Sequence, residues 1–303
     1  MPQRLAVAII HGVGKQDPHF ADGMAQELRN RFAKQVGKKV QDPASALVIR
    51  PVYWAPVLQS AEAILWKRMK QGGDLDFTTL RRFLVDFAAD AIAYQPTPSD
   101  RKIYDGVHKI FAQTLRELAS QAGEKAPLCV IAHSLGSVIA SNYFYDLQVD
   151  PTRKIISGEV RALMGNTPLE RGETLTLFYT LGSPIAIWSL RYRDFGVPIR
   201  VPSPGLARLH RGLKGEWVNY YNEDDVIGYP LKTLNGAYRR AVKADRGVNA
   251  GGLLSAWNPA SHLGYWTDND VTKPIAGALA RTWRTVNPSS KAGGLGRHSD
   301  RNV

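Results

Sequence analysis

Ser134 lies in a five-residue segment whose residue types suit a nucleophile. The segment, Ala132-His133-Ser134-Leu135-Gly136, differs only at Ala132 from the Gly-x-Ser-x-Gly nucleophile elbow. In that elbow the serine occupies a strained turn between a strand and a helix, so the residues two before and two after it must be small. The apolar run 128–132 is typical of a central parallel strand, and 136–147 predicts a helix. The pattern therefore predicts Ser134 as the nucleophile of an acyl transfer.

A nucleophilic serine needs a base, and in this arrangement the chain order is serine, acid, histidine. Among the 7 histidines, only His262 and His298 lie beyond the strand predicted to carry the acid. His298 belongs to a polar tail, whereas His262 follows the predicted last strand, 244–248, in a turn-rich loop. We therefore predict His262 as the catalytic base, against the alternative of a loop histidine without a catalytic role.

The acid is sought in a carboxylate cluster that directly follows the predicted strand 217–221. A carboxylate there would hold the tautomer of His262 and stabilise its protonated form. Asp225 is the first choice because the next two residues are apolar and could anchor the turn. Asp224 is the alternate acid and Glu223 the third candidate.

The oxyanion hole requires two backbone N–H groups that face the developing alkoxide. Leu135, the residue after the nucleophile, is predicted to supply one of them. The loop after the first strand, 5–10, is predicted to supply the other from Val13, with Gly12 and Gly14 allowing close approach to the serine.

The same glycine loop could instead belong to a phosphate or dinucleotide site. The third glycine of Gly-x-Gly-x-x-Gly is absent because Asp17 stands there, and Lys15 is followed by Gln16 rather than serine or threonine. No histidine, cysteine and carboxylate group shows the spacing of metal ligands. The sequence predicts neither a cofactor nor a metal, and Cys129 is expected in the core.

Five segments taken together resemble the alpha/beta-hydrolase superfamily, of the intracellular serine lipase or esterase type. The resemblance spans most of the chain and implies the fold and the triad, but it names no substrate. Its departures are Ala132 in the elbow and the doubled aspartate, which leaves the register of the acid open. The segments, in chain order, are His11-Gly12-Val13-Gly14, Ala132-His133-Ser134-Leu135-Gly136, Thr180-Leu181-Gly182-Ser183-Pro184, Asp225-Val226-Ile227-Gly228-Tyr229-Pro230-Leu231 and Ser261-His262-Leu263-Gly264-Tyr265-Trp266.

Apolar strand patterns alternate with helical patterns along the chain, which predicts an α/β fold. We expect an alpha/beta-hydrolase fold with a mostly parallel sheet and helices on both faces. One domain over 1–286 would carry a helical insertion, 56–123, and a basic, proline-containing insertion, 191–215. The helical insertion either caps the serine or packs on the sheet, and the tail 287–303 is expected to be disordered.

Composition excludes several classes of protein. The 303 residues are 44% hydrophobic, enough for a large core without disulfides, and they include only 1 cysteine. With no apolar run long enough to cross a bilayer, we expect a cytoplasmic protein. The net charge of +12 invites anionic partners, but the arginines cluster in 191–215 and the tail. Nucleic acid is therefore not expected, whereas a weak contact with an anionic membrane surface is retained.

The predicted function is hydrolysis of a carboxylic ester, or lipid, through an acyl-enzyme on Ser134. Two alternatives stay open: a catalytically silent binding module on the same fold, and an acyltransferase that uses the same triad. The acyl-chain length, the head group and the oligomeric state are not predicted.

Overall fold

The computed structural model describes residues 2–14, 16–37, 42–71, 78–249 and 264–288. Six strands of these residues form one sheet in the order β2-β1-β3-β4-β5-β6, and every neighbouring pair is parallel. β1, β3 and β4 are buried along their whole lengths because they are central and covered on both faces. The strands are β1 Leu5–Ile10, β2 Leu47–Val52, β3 Leu128–His133, β4 Leu175–Leu181, β5 Glu216–Tyr221 and β6 Ala244–Gly247.

Helices connect and flank these strands. Short 3₁₀ turns lie at Ala44–Ala46, Ala55–Val57, Ser189–Arg191, Arg193–Phe195 and Gly264–Trp266. The α-helices are α1 Asp22–Val36, α2 Gln59–Gln71, α3 Thr78–Ala93, α4 Lys102–Ala122, α5 Leu135–Arg153, α6 Gly158–Leu163, α7 Ile185–Trp188, α8 Leu206–Leu209, α9 Gly236–Ala241 and α10 Asn269–Val286.

The sheet separates two hydrophobic cores. Alternate residues of β1 face opposite sides, so that Val7 joins the core under α1 and α10, and Ala8 joins the core under α4 and α5. The rings of Phe111 and Tyr143 stack at 4.4 Å between α4 and α5. The predicted α/β fold, with a parallel sheet covered by helices on both faces, is confirmed.

The helix α10 is not among the elements predicted from the sequence. Its apolar residues Val271, Ile275, Leu279 and Trp283 recur every four positions and are all buried. Asp268 caps the helix by accepting a hydrogen bond from the N–H of Asp270 at 2.6 Å. The cap and the four-residue repeat are the signals that could have found it, although a proline at position 274 argues locally against a helix.

The predicted helical insertion divides into two parts. α4 packs across β1 and β2 and so belongs to the layer that covers the sheet. α2 and α3 pack on each other and expose large apolar side chains, among them Ile64 and Ile92. Trp54, which lies just before this insertion, is buried. A cap formed by α2 and α3 stays a prediction.

The predicted basic insertion is anchored in the core, although its surface is charged. Ile199 and Leu206 are buried, while the arginines that precede and follow them are exposed. Contact between these arginines and an anionic membrane surface stays a prediction. Within the described residues, no helix is both long enough and apolar enough to span a bilayer. Most of the predicted disordered tail, 287–303, lies outside the described residues.

Candidate active site

Ser134 lies in a strained backbone conformation at the junction of β3 and α5. Its φ of 51° and ψ of −131° fall in a region that non-glycine residues rarely occupy. The side chain is buried, and its hydroxyl makes no hydrogen bond within the described part of the chain. Such strain costs on the order of 1–3 kcal/mol and is characteristic of functional sites. The turn has the strand-to-helix form that the sequence predicts for a nucleophile.

Two glycines let the loop after β1 pack directly on this turn. A Cβ on Gly12 would lie 2.4 Å from the Cβ of Ser134, and a Cβ on Gly136 would lie 2.3 Å from the carbonyl oxygen of His11. Neither position has room for a side chain. The sequence predicts a small residue at position 136, and the structure shows that the loop after β1 is what lies against it.

Hydrogen bonds from β4 brace the turn on its other side. The N–H of Ser134 donates to the carbonyl of Leu181 at 2.9 Å. The Ser137 hydroxyl donates to the Ser134 carbonyl at 2.6 Å and lies 2.7 Å from the Ser183 hydroxyl. Since the single proton of Ser137 is used, Ser183 is the donor of the second bond. The Gly-Ser-Pro segment after β4 therefore holds the turn in place.

His11 ties the loop after β1 to the chain that follows β2. Its Nε2 accepts hydrogen bonds from the N–H groups of Trp54 at 3.1 Å and Ala55 at 3.2 Å. Its Nδ1 therefore carries the proton and donates to the Gly12 carbonyl at 2.8 Å. Burial lowers the pKa of His11 to about 3, so the ring stays neutral at physiological pH. This histidine positions the loop and has no free nitrogen for proton transfer.

The three candidate acids differ in burial. Asp225 is buried, whereas Asp224 and Glu223 are exposed. One oxygen of Asp225 accepts from the N–H of Ile227 at 2.9 Å, and the other accepts from the Tyr265 hydroxyl at 2.8 Å. Both bonds hold the carboxylate in one orientation at the end of β5.

Tyr265 is a site residue to which sequence analysis assigned no role. Its hydroxyl donates to Asp225 and accepts from the N–H of Asn222 at 2.7 Å. Burial, followed by the charge of Asp225, raises the pKa of Tyr265, so the phenol keeps its proton and remains a donor. The Ser-His-Leu-Gly-Tyr-Trp segment, 261–266, contains this tyrosine, but the contact of the tyrosine with the acid is not visible in the sequence.

The turns that carry the candidate acid and the candidate nucleophile meet at one edge of the sheet. The ring of His133, next to Ser134, lies 5.9 Å from the ring of Tyr265, which holds Asp225. A Cβ on Gly228 would lie 2.8 Å from an Asp225 oxygen. The carboxyl ends of the strands of a parallel sheet meet at the same edge, where ligands bind in such folds. The structure thus brings together the loops after β1, β3 and β5. His262 lies outside the described residues.

A buried carboxyl group also contacts the glycine loop. Asp90 of α3 accepts the N–H of Gly14 at 3.1 Å, and Gly14 has a φ of 80°, which favours glycine. Burial, followed by a hydrogen bond with Glu62, raises the pKa of Asp90 to about 9. Asp90 is therefore expected to keep its proton at neutral pH. This contact is not visible in the sequence, since it joins residues 76 positions apart.

The raised pKa of Asp90 predicts a pH-dependent stability. Between an unfolded pKa near 3.8 and a folded pKa of about 9, the folded protein binds one proton more than the unfolded chain. Stability should therefore fall as pH rises, by up to ~1.4 kcal/mol per unit from this group. In Asp90→Asn the neutral amide can still accept the hydrogen bond from Gly14 and does not titrate, so this contribution should disappear. Urea unfolding at pH 5, 7 and 9 measures the difference between the two proteins.

The matched control is Glu124→Gln, which removes an exposed carboxylate. Its stability should follow the pH dependence of the wild type. If the stability of the wild type and of Asp90→Asn changed with pH in the same way, Asp90 would already be ionised in the folded protein.

Comparisons with known proteins add little to this geometry. No protein-family model matches the chain, and no curated protein matches it. Among solved structures, the esterase domain of a Rhodothermus marinus protein is similar with a TM-score of 0.32 and 11% sequence identity. The match covers 94% of this chain and 87% of that chain.

In the described ranges, no three histidine, cysteine or carboxylate side chains are arranged to hold a metal ion.

Proposed function

We propose that this protein is a serine hydrolase of carboxylic esters that works through an acyl-enzyme. The observation that carries the proposal is the buried, strained Ser134 at the strand-to-helix turn, packed without a gap against the loop after β1. Its Oγ would form a bond to the ester carbonyl carbon, and the bond from that carbon to the alcohol oxygen would break. Water would then cleave the acyl-enzyme and release the carboxylic acid.

His262 is proposed as the base that takes the proton of Ser134 and returns it to the leaving alcohol. It is three positions before Tyr265, a reach of at most ~11 Å for an extended chain. Because Tyr265 donates to Asp225, the chain after His262 is tied to the candidate acid. The burial and fixed orientation of Asp225 favour it over Asp224 as the group that holds the tautomer of His262.

The oxyanion hole is proposed to consist of the N–H groups of Leu135 and Val13. Leu135 is the first residue of α5, where backbone N–H groups lack partners within the helix and the helix dipole favours negative charge. Val13 lies between Gly12, which packs on Ser134, and Gly14, which Asp90 holds. These contacts support a rigid loop, as stabilisation of an oxyanion requires.

Labelling with a fluorophosphonate tests this function against the silent binding module. The reagent should phosphonylate Ser134, as mapped by mass spectrometry, and p-nitrophenyl esters should be hydrolysed. Ser134→Ala should lose the label. The control Ser141→Ala, about two helical turns further along α5, should keep it. A folded protein without label would overturn the proposal. Product analysis with added alcohols separates the hydrolase from an acyltransferase, which would form a new ester.

A further inference from the structure

A cleft of about 410 Å³ lies along α5, beside the proposed active site. Its walls are α5 on one side and the segment that begins at α7 on the other. The lining is mainly aromatic and aliphatic, as in sites that bind organic ligands. The side chains that determine its chemistry are Val138, Tyr145, Ile185, Trp188, Arg153 and Arg193.

One end of the cleft is lined by residues that are close in the chain to the turn of the candidate nucleophile. Val138 lies one helical turn beyond Ser134, and Ile185 lies two residues beyond Ser183, which braces the same turn. Tyr145 lies further out, a distance of about 10 Å along α5 from Val138. A ligand in the cleft could thus extend from near Ser134 to Tyr145.

The outer end carries positive charge that the described residues do not neutralise. Arg153 donates to the Tyr145 hydroxyl at 3.3 Å, so its guanidinium lies at this end. Neither Arg153 nor Arg193 forms an ion pair with any described residue, and no described residue that lines the cleft is acidic. In the neighbouring depression, by contrast, Asp150 binds the guanidinium of Arg161 at 2.8 Å.

Apolar walls and two guanidinium groups without an ion pair among the described residues define one ligand chemistry.

We propose that the cleft binds an amphiphilic anion, with its apolar body against Val138 and Trp188 and its anionic head beside Arg153 and Arg193. Guanidinium groups bind carboxylates and phosphates through charge-assisted hydrogen bonds. Where this rests on the proposed function, the substrate would be an ester with an anionic group about 16 Å from the reacting carbonyl, the distance along α5 from Ser134 to Tyr145. Binding itself does not depend on that function.

Calorimetric titration tests the site with octanoate, its neutral analogue octanamide, and octyl phosphate. Octanoate should bind at least about tenfold more tightly than octanamide, because only the anion pairs with the arginines. The double variant Arg153→Gln/Arg193→Gln should lose that difference. Arg211→Gln, which removes an exposed arginine outside the cleft, should retain it. If octyl phosphate binds more tightly than octanoate, the site prefers a phosphate head group; the reverse order indicates a carboxylate head group.

Equal affinity for octanoate and octanamide, no binding of either anion, or full affinity in the double variant would each overturn the inference. Both arginines are exposed, so the double variant should fold, and its circular dichroism confirms this. Repeating the titration with Ser134→Ala separates this site from the proposed function. Binding should persist there, and a failure of ester hydrolysis in the wild type would leave the binding result unaffected.

Discussion

Ser134→Ala is expected to lower kcat for a p-nitrophenyl ester by about 10⁴- to 10⁶-fold while the fold is retained. The substitution removes only the hydroxyl, which makes no hydrogen bond within the described residues, so no described contact is lost. Without the nucleophile no acyl-enzyme can form, and only the oxyanion hole and substrate binding would contribute. Steady-state rates and thermal unfolding of the purified variant measure both expectations.

His262→Ala should cause a loss of similar size, because the members of a triad act as a unit. The double variant with Ser134→Ala should be no slower than either single variant. Additive losses would show that the two residues do not act in one step, and an unchanged rate in Ser134→Ala would remove that serine from the mechanism.

The second large effect is expected from Asp225→Asn, which should lower kcat on the order of 10⁴-fold. An amide at this position can still accept one hydrogen bond from Ile227 or Tyr265, but it can no longer hold the reactive tautomer of His262 or stabilise the protonated ring. Asp224→Asn is the matched control and should stay close to the wild type, because its side chain is exposed. Rates across pH separate the tautomer effect from partial unfolding.

The outcomes of this pair are distinct. A large loss only in Asp224→Asn would transfer the role of the acid to Asp224. If both variants retain near wild-type rates, Asp225 is not the acid, and Glu223→Gln becomes the next test. Circular dichroism at the assay pH confirms that each variant is folded before its rate is compared.

The architecture was predictable because its signals are local. Buried parallel strands appear in the sequence as short apolar runs, and β4 begins and ends where its run does. α10 was not predicted, although its four-residue apolar repeat is intact; a proline at position 274 lies inside it. The tertiary contact with α1 outweighs the local cost of that proline.

Residue types around Ser134 likewise predicted a turn with small neighbours. The structure shows that Gly136 must be small because of the His11 carbonyl, which is far away in sequence. Similarly, the sequence places Asp224 and Asp225 side by side and makes them almost equally plausible as the catalytic acid. Only the folded chain distinguishes them, since β5 and Tyr265 bury one carboxylate and leave the other in solvent.

By itself, the sequence determined the order of the six strands and of the helices α1 to α5, the turn at Ser134 and the candidate residues of each loop, because these depend on neighbours within a few positions. The tertiary structure alone decided which groups meet: Asp90 with Gly14, Tyr265 with Asp225, and α5 with the segment that forms the cleft. These contacts join residues that are tens of positions apart. Burial, shifted pKa values and unpaired charge arise only when the folded sheet brings such residues together.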